Sequence, residues 1–244
     1  MRRNALLSVC VAALLVTAGC TGLSDGENAA DAAQLQSDVV DAMADVDTYR
    51  MEMRMNVSAS GQSLSMTQRG VFDHEAERAR VNATVLGQET TTYIDGTTAY
   101  VNVGGIWQTR DLSDREPWNE STGIDQQRAL LESGNVTVAG AATVDGVATT
   151  VLRVDPDPSD VKSVVAQQQG QALDGVGVES ATYRMYVAND THRLRQVEMN
   201  LTMSISGQTA DANATITFSE YGEPVNISVP DAATDQAARG RAVA

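Results

Sequence analysis

The residues that could do chemistry in this 244-residue chain are few, and their spacing suits almost none of it. Gly22-Leu23-Ser24-Asp25-Gly26 has the spacing of a nucleophile elbow, which needs a strand before it and a helix straight after it. This copy lies in a small, acidic stretch close to the N-terminus. The two histidines, His74 and His192, stand in separate polar stretches near turns, so no metal-ligand spacing joins them. Asp155-Pro156-Asp157-Pro158-Ser159-Asp160 looks like a calcium loop but lacks the mid-loop Gly and the distal Glu. Helix capping accounts for it better, with Asp157 as N-cap, Pro158 in the first turn and Asp160 at N3. Lys162 is the one lysine, and no phosphate-cradling glycine loop precedes it. These observations predict no enzyme, no metal and no cofactor, with a carboxylate-based hydrolase as the trailing alternative.

Two other patterns are better formed. Seven of the nine methionines fall on the apolar side of alternating segments: Met51, Met53, Met55, Met66, Met185, Met199 and Met203. Methionine is flexible and polarizable and fits irregular apolar partners. These seven, with Leu201, are the expected lining of an apolar cavity; the competing reading is a plain core face. Eight sequons, at Asn56, Asn82, Asn119, Asn135, Asn189, Asn200, Asn213 and Asn226, are candidate N-glycosylation sites. Alternation of apolar residues with Asn, Ser and Thr also generates N-x-T without any glycan.

The prefix is an address. Arg2-Arg3 precedes an apolar run from Ala5 to Ala18, too short for a comfortable membrane span and right for a signal peptide. Thr17-Ala18-Gly19-Cys20 resembles the lipobox of prokaryotic lipoproteins, with Thr17 where Leu is usual. The resemblance implies cleavage before Cys20 and a lipid on its thiol, placing the protein on the outer face of the cell membrane. Arg2-Arg3 also resembles a twin-arginine export signal, although its n-region is short. Cys10 leaves with the prefix, so no disulfide framework remains. Loss of Arg2 and Arg3 takes the net charge from −15 to −17.

That charge excludes a nucleic-acid binder, since phosphates need clustered Lys and Arg. The 32 acidic residues face 17 basic ones, of which 16 are Arg. Acid excess with almost no Lys resembles the proteins of extremely halophilic archaea, whose surfaces work in screening salt.

The elements follow from periodicity. Residues 21–30 read as a tether after the lipidated Cys20. Asp31 to Asp45 reads as a helix with Leu35, Val39, Met43 and Val46 on one stripe. From Tyr49 the period is two, through strands at 49–58, 64–72, 78–86, 90–94, 98–103 and 106–109. Short helices are expected at 125–133 and 157–169. Strands return at 136–139, 142–144, 147–154, 183–187, 197–205 and 212–218, and Val225, Ile227 and Val229 close the series. Residues 231–244 read as a disordered tail. Two short echoes, Thr48-Tyr49-Arg50-Met51 with Thr182-Tyr183-Arg184-Met185 and Ser58 to Gln62 with Ser204 to Gln208, suggest two similar meanders.

Behind a lipobox, a helix followed by a Tyr-led strand and a long meander resembles the lipid-carrier proteins of the LolA and LppX/LprG type, over about residues 31–229. The resemblance implies an α+β fold: a strongly curved antiparallel β-sheet, or half-barrel, with helices covering the concave face. It implies one domain over residues 31–230, after a signal peptide at 1–19, and an apolar, lipid-like ligand. No residue motif carries binding positions across. The function expected is thus a membrane-anchored extracytoplasmic binding or carrier module. The alternative is a surface structural or interaction lipoprotein with a dry core.

Overall fold

The structure is a computed structural model, which describes residues 25–115, 117–118, 123–156, 159, 161, 176–205 and 208–241. The first helix, α1 (Asp25–Ala44), buries Ala32, Val39 and Met43 on one face. It starts six residues before the expected Asp31, so the stretch expected as tether is helical from Asp25. The small residues that suggested a linker include Ala29 and Ala30, which are also the best helix formers.

Alternation then builds β1 (Thr48–Ala59), β2 (Gln62–Asp73), β3 (Arg78–Val85), β4 (Gln88–Asp95), β5 (Thr98–Val103) and β6 (Ile106–Asp111). After α2 (Gly123–Ser133), a second meander follows: β7 (Asn135–Val144), β8 (Val147–Asp155), β9 (Val176–Ala188), β10 (Leu194–Ile205) and β11 (Gln208–Ser219). The last strand returns beside the first. The result is one open antiparallel sheet in the order β6-β5-β4-β3-β2-β1-β11-β10-β9-β8-β7. A sheet this wide curls because each strand is twisted against its neighbour. One face carries the core, where Val39 and Met43 of α1 and Ile124, Leu130 and Leu131 of α2 meet Tyr49, Met51, Met185, Val197 and Phe218 of the strands. This is the expected curved α+β half-barrel with helices on its concave face.

Four local expectations change. The strands expected at 136–139 and 142–144 are one strand, β7, with a bulge between Val138 and Gly140. The strand expected from Tyr183 already pairs from Val176. Val225, Ile227 and Val229 form no strand: Ile227 is buried, but the segment is bracketed by Pro224 and Pro230 and joins no ladder. The tail is not disordered from Asp231. Residues Asp231–Arg241 form a helix, α3, that packs on β6 and fully buries Ala233. Gln236 Oε1 accepts the backbone N–H of Trp107 at 3.2 Å, which satisfies a donor on the open edge of the sheet. A helix so poor in large apolar residues looks like a frayed end until its place on that edge is known.

The helix expected at 157–169 lies mostly outside the described residues; Ser159 and Val161 are helical, and Val161 is fully buried. The Ser58–Gln62 and Ser204–Gln208 echoes fall at two hairpins that share one end of the sheet, where Ser60 Oγ donates to Gln208 Oε1 at 3.1 Å.

Candidate ligand-binding site

The register places the methionines relative to one another. β11 lies between β1 and β10, and its inward residues are small: Ala210, Ala212 and Ala214, followed by Ile216. Across one ladder, Ala214 faces Met55, Ala212 faces Val57, and Ile216 faces Met53. Across the other, Ala214 faces Met199, Ala212 faces Leu201, and Ala210 faces Met203. The concave face therefore has a floor of buried alanines, covered over and flanked by two rows of long flexible side chains. From Ala210 to Ile216 the floor is roughly 20 Å long, and the rows stand roughly 10 Å apart. Met66 extends the first row by pairing with Met55.

All seven methionines and Leu201 are at inward positions, but their environments differ. Met51, Met185 and Leu201 are buried in the core, while Met53, Met55, Met66, Met199 and Met203 are half-buried. Aromatic rings pack at one end of this face. Tyr49 stacks on Phe72 at 4.7 Å, with Phe218, Tyr221 and His74 at 6.0 to 6.4 Å. The start of α2 lies against that end, since a Cβ on Gly123 would be 2.6 Å from Met51 Sδ.

Two features were missed in the sequence. Ala210, Ala212 and Ala214 look like weak strand residues there, and only pairing reveals them as a floor. Gln127 sits in the buried stripe of α2 with Ile124, Leu130 and Leu131, and its Oε1 is buried without a partner. Its signal was a polar residue on an otherwise apolar helical face. A buried acceptor left unpaired is unfavourable.

Tyr183 occupies the same cross-strand row as Met199, Ala214 and Met55. Burial pushes its phenol up to about 12, and burial also raises that of Tyr221. Because the folded state favours the neutral phenol, this stability is fully present below the unfolded value of about 10 and is lost as pH rises toward 12. A urea titration series should show stability level to about pH 9 and then falling by roughly 2 kcal/mol by pH 12 from Tyr183. Tyr183→Phe should remove that share of the fall; an unchanged alkaline limb would place the phenol in water.

The remaining candidates are dispersed. Cys20, Ser24 and Lys162 lie outside the described residues. His74 meets Trp118 edge-on at 5.7 Å, and His192 is in the β9–β10 turn. No group of three His, Cys, Asp or Glu able to hold a metal occurs among the described residues. Asp155 ends β8 and pairs with Arg153 at 2.9 Å. A cavity of about 100 Å³ is lined by Leu35, Thr150, Val187, Ala188, Asn189 and His192, at the opposite end of β9 from Val178 and Met203. It is too small for an acyl chain.

Of the sequons, Asn56, Asn213 and Asn200 stand directly opposite one another across β1, β11 and β10 on the exposed convex face. Neighbours in such a row are only about 5 Å apart, so bulky glycans on all three would collide. Asn82 lies on the same face and accepts from Thr91 Oγ1. Asn135 begins β7, Asn189 accepts from Thr150 Oγ1 in a turn, and Asn226 is exposed. Asn119 lies outside the described residues.

An open, curved antiparallel sheet with helices on one face is a fold already seen in solved structures. The chain is similar to the lipoprotein LppX of Mycobacterium tuberculosis, with a TM-score of 0.54 and 18% identity over 80% of this chain and 99% of that one. It is similar to LprF of Mycobacterium bovis, with a TM-score of 0.55 and 18% identity over 82% of this chain and 97% of that one. A LolA superfamily protein of Nitrosomonas europaea aligns over 82% of this chain at a TM-score of only 0.30, so the likeness of fold rests on the first two. The family described as "Family of unknown function (DUF6612)" matches residues 159–238. No curated protein matches the sequence.

Proposed function

We propose that this protein is a membrane-anchored extracytoplasmic lipoprotein that binds or carries an apolar, lipid-like ligand. The observation that carries the reading is the alanine floor between the Met53/Met55/Val57 and Met199/Leu201/Met203 rows. A dry structural core would fill the middle strand with large side chains, because packing close to crystal density stabilises a fold. Here the middle strand has three alanines, and half-buried methionines flank them, which suits a hydrocarbon chain of variable shape. The fold shared with LppX and LprF supports this reading, as does the carrier function implied by the sequence resemblance. Anchoring rests on the prefix that ends in Cys20. No helix among the described residues is long and apolar enough to cross a membrane, and the acid excess suits a surface in high salt.

One experiment tests both parts. The native chain should partition with membranes and Cys20→Ser should not be held there by a lipid; an unmodified thiol in membrane-bound wild type would defeat the anchor. A soluble form starting at Thr21 should bind a fluorescent fatty acid or retain lipid in native mass spectrometry. Met203→Glu, which places a charge among the half-buried methionines, should reduce binding at least about tenfold while the chain stays folded. Absence of any lipid on wild type, with Met203→Glu unfolded, would instead favour the dry-core alternative.

A further inference from the structure

The two ends of the sheet differ in charge. In the first meander the hairpin segments 57–66, 84–88 and 102–108 lie at one end and contain no Asp, Glu, Lys or Arg. At the chain-wide 20%, about four of these 22 residues would be charged. The opposite end carries Asp45, Asp47, Asp73, Glu75, Glu77, Asp95, Asp145, Asp190 and Glu220 in its turns and connections. Carboxylates border this rim: Glu89 and Asp211 stand opposite Thr84 and Ser58 on the convex face, and the exposed Glu179 lies beside Met203 where β9 meets β10.

The neutral end also exposes large apolar side chains: Leu86 is 82% exposed, Ile106 59% and Leu64 36%. Leu86 is the strongest of the three signals. With Gly87 it forms a two-residue hairpin turn at φ +52° and +76°, a conformation that favours Asn, Asp or Gly. The equivalent first positions of the other turns with two positive φ values are Ser60, Gly104 and Asp145. A bulky residue at positive φ is unfavourable, and an exposed leucine there gains no core contact. The fold gives no reason for it.

We propose that this neutral rim docks on the surface of a lipid bilayer, with Leu86, Leu64 and Ile106 entering the interface and Trp107 beside them. The hairpin tips of the first meander can approach lipid without carrying carboxylates out of water, whereas the turns at the opposite end hold Asp73, Asp95 and Asp145. The half-buried Met55, Met66 and Met203 lie toward the same end, and the aromatic rings pack at the other. Docking thus brings these methionines toward the membrane that supplies or receives the ligand. This deepens the carrier reading and rests on it for the ligand's route.

The test uses the full chain in phosphatidylcholine vesicles containing lipid brominated on its acyl chains. Trp107 is read in the Trp118→Phe chain and Trp118 in the Trp107→Phe chain. Trp118, whose Nε1 donates to Gly96 O at 2.7 Å, marks the charged end. Trp107 should be quenched, Trp118 should not, and the pattern should persist in high salt because no charges mediate it. Leu86→Asn should raise the melting temperature, since Asn accepts the turn's positive φ, yet lower the ratio of docked to undocked protein about tenfold. Equal quenching of both tryptophans, quenching of neither, or a Leu86→Asn chain that is more stable but docks unchanged would each overturn the proposal. Lipid retained in native mass spectrometry without Trp107 quenching defeats docking alone, whereas quenching without retained lipid defeats the carrier reading and leaves docking in place.

Discussion

Tyr49→Ala is expected to destabilise the protein by about 3 to 5 kcal/mol, the range for removing a fully buried aromatic side chain. Tyr49 has no solvent exposure and lies at the centre of the rings at one end of the concave face. Its ring is nearly parallel to Phe72, with Phe218 and Tyr221 on further sides, and such pairs add to the apolar area buried. The site cannot collapse easily. Gly70 leaves the space that Phe72 occupies, since a Cβ there would lie 2.4 Å from the Phe72 ring. Filling the cavity would therefore mean moving Phe72 off its strand position. Tyr49→Phe keeps the ring and should lose much less. Urea denaturation of the two variants measures the difference. If Tyr49→Ala loses no more than Tyr49→Phe, the aromatic end is not what holds the two meanders together.

Stability should rise steeply with salt. The chain carries a net charge of −15, and its carboxylates repel one another over about 30 Å at 0.01 M salt but only about 3 Å at 1 M. Salt also weakens favourable pairs, so the sign depends on which effect is larger. The ion pairs among the described residues are partly exposed, as in Arg78 with Asp95 at 3.0 Å and Arg153 with Asp155 at 2.9 Å. Pairs of this kind contribute about 0 to 1 kcal/mol each. Repulsion among unpaired carboxylates dominates, and screening it stabilises the fold. A gain of about 3 kcal/mol between dilute buffer and multimolar potassium chloride would raise the melting temperature by roughly 10 °C. A flat melting temperature over that range would remove the argument for a surface adapted to salt.

The sequence by itself determined the local elements and which way their side chains face. Alternation from Tyr49 to Val57 and from Val197 to Met203 assigned every methionine on those strands to the inward side, because strand parity is fixed by a two-residue period. The stripe of Leu35, Val39 and Met43 marked α1 for the same reason at a helical period. Only the tertiary structure decided what the inward methionines enclose. β1 and β11 are more than 140 residues apart in sequence and pair all the same, and no local period encodes which distant strands meet. That pairing turns Ala210, Ala212 and Ala214 into a floor and buries Met51 and Met185 while leaving Met55 and Met203 half-covered. The helix at Asp231–Arg241 was hidden similarly, since its stability comes from the open edge at β6 and not from its own apolar content. The charge-free rim combines the two levels. Each neutral turn is visible in the sequence, but a meander sends alternate turns to opposite ends, and only the sheet order gathers Ser60, Leu86 and Gly104 onto one side of the molecule.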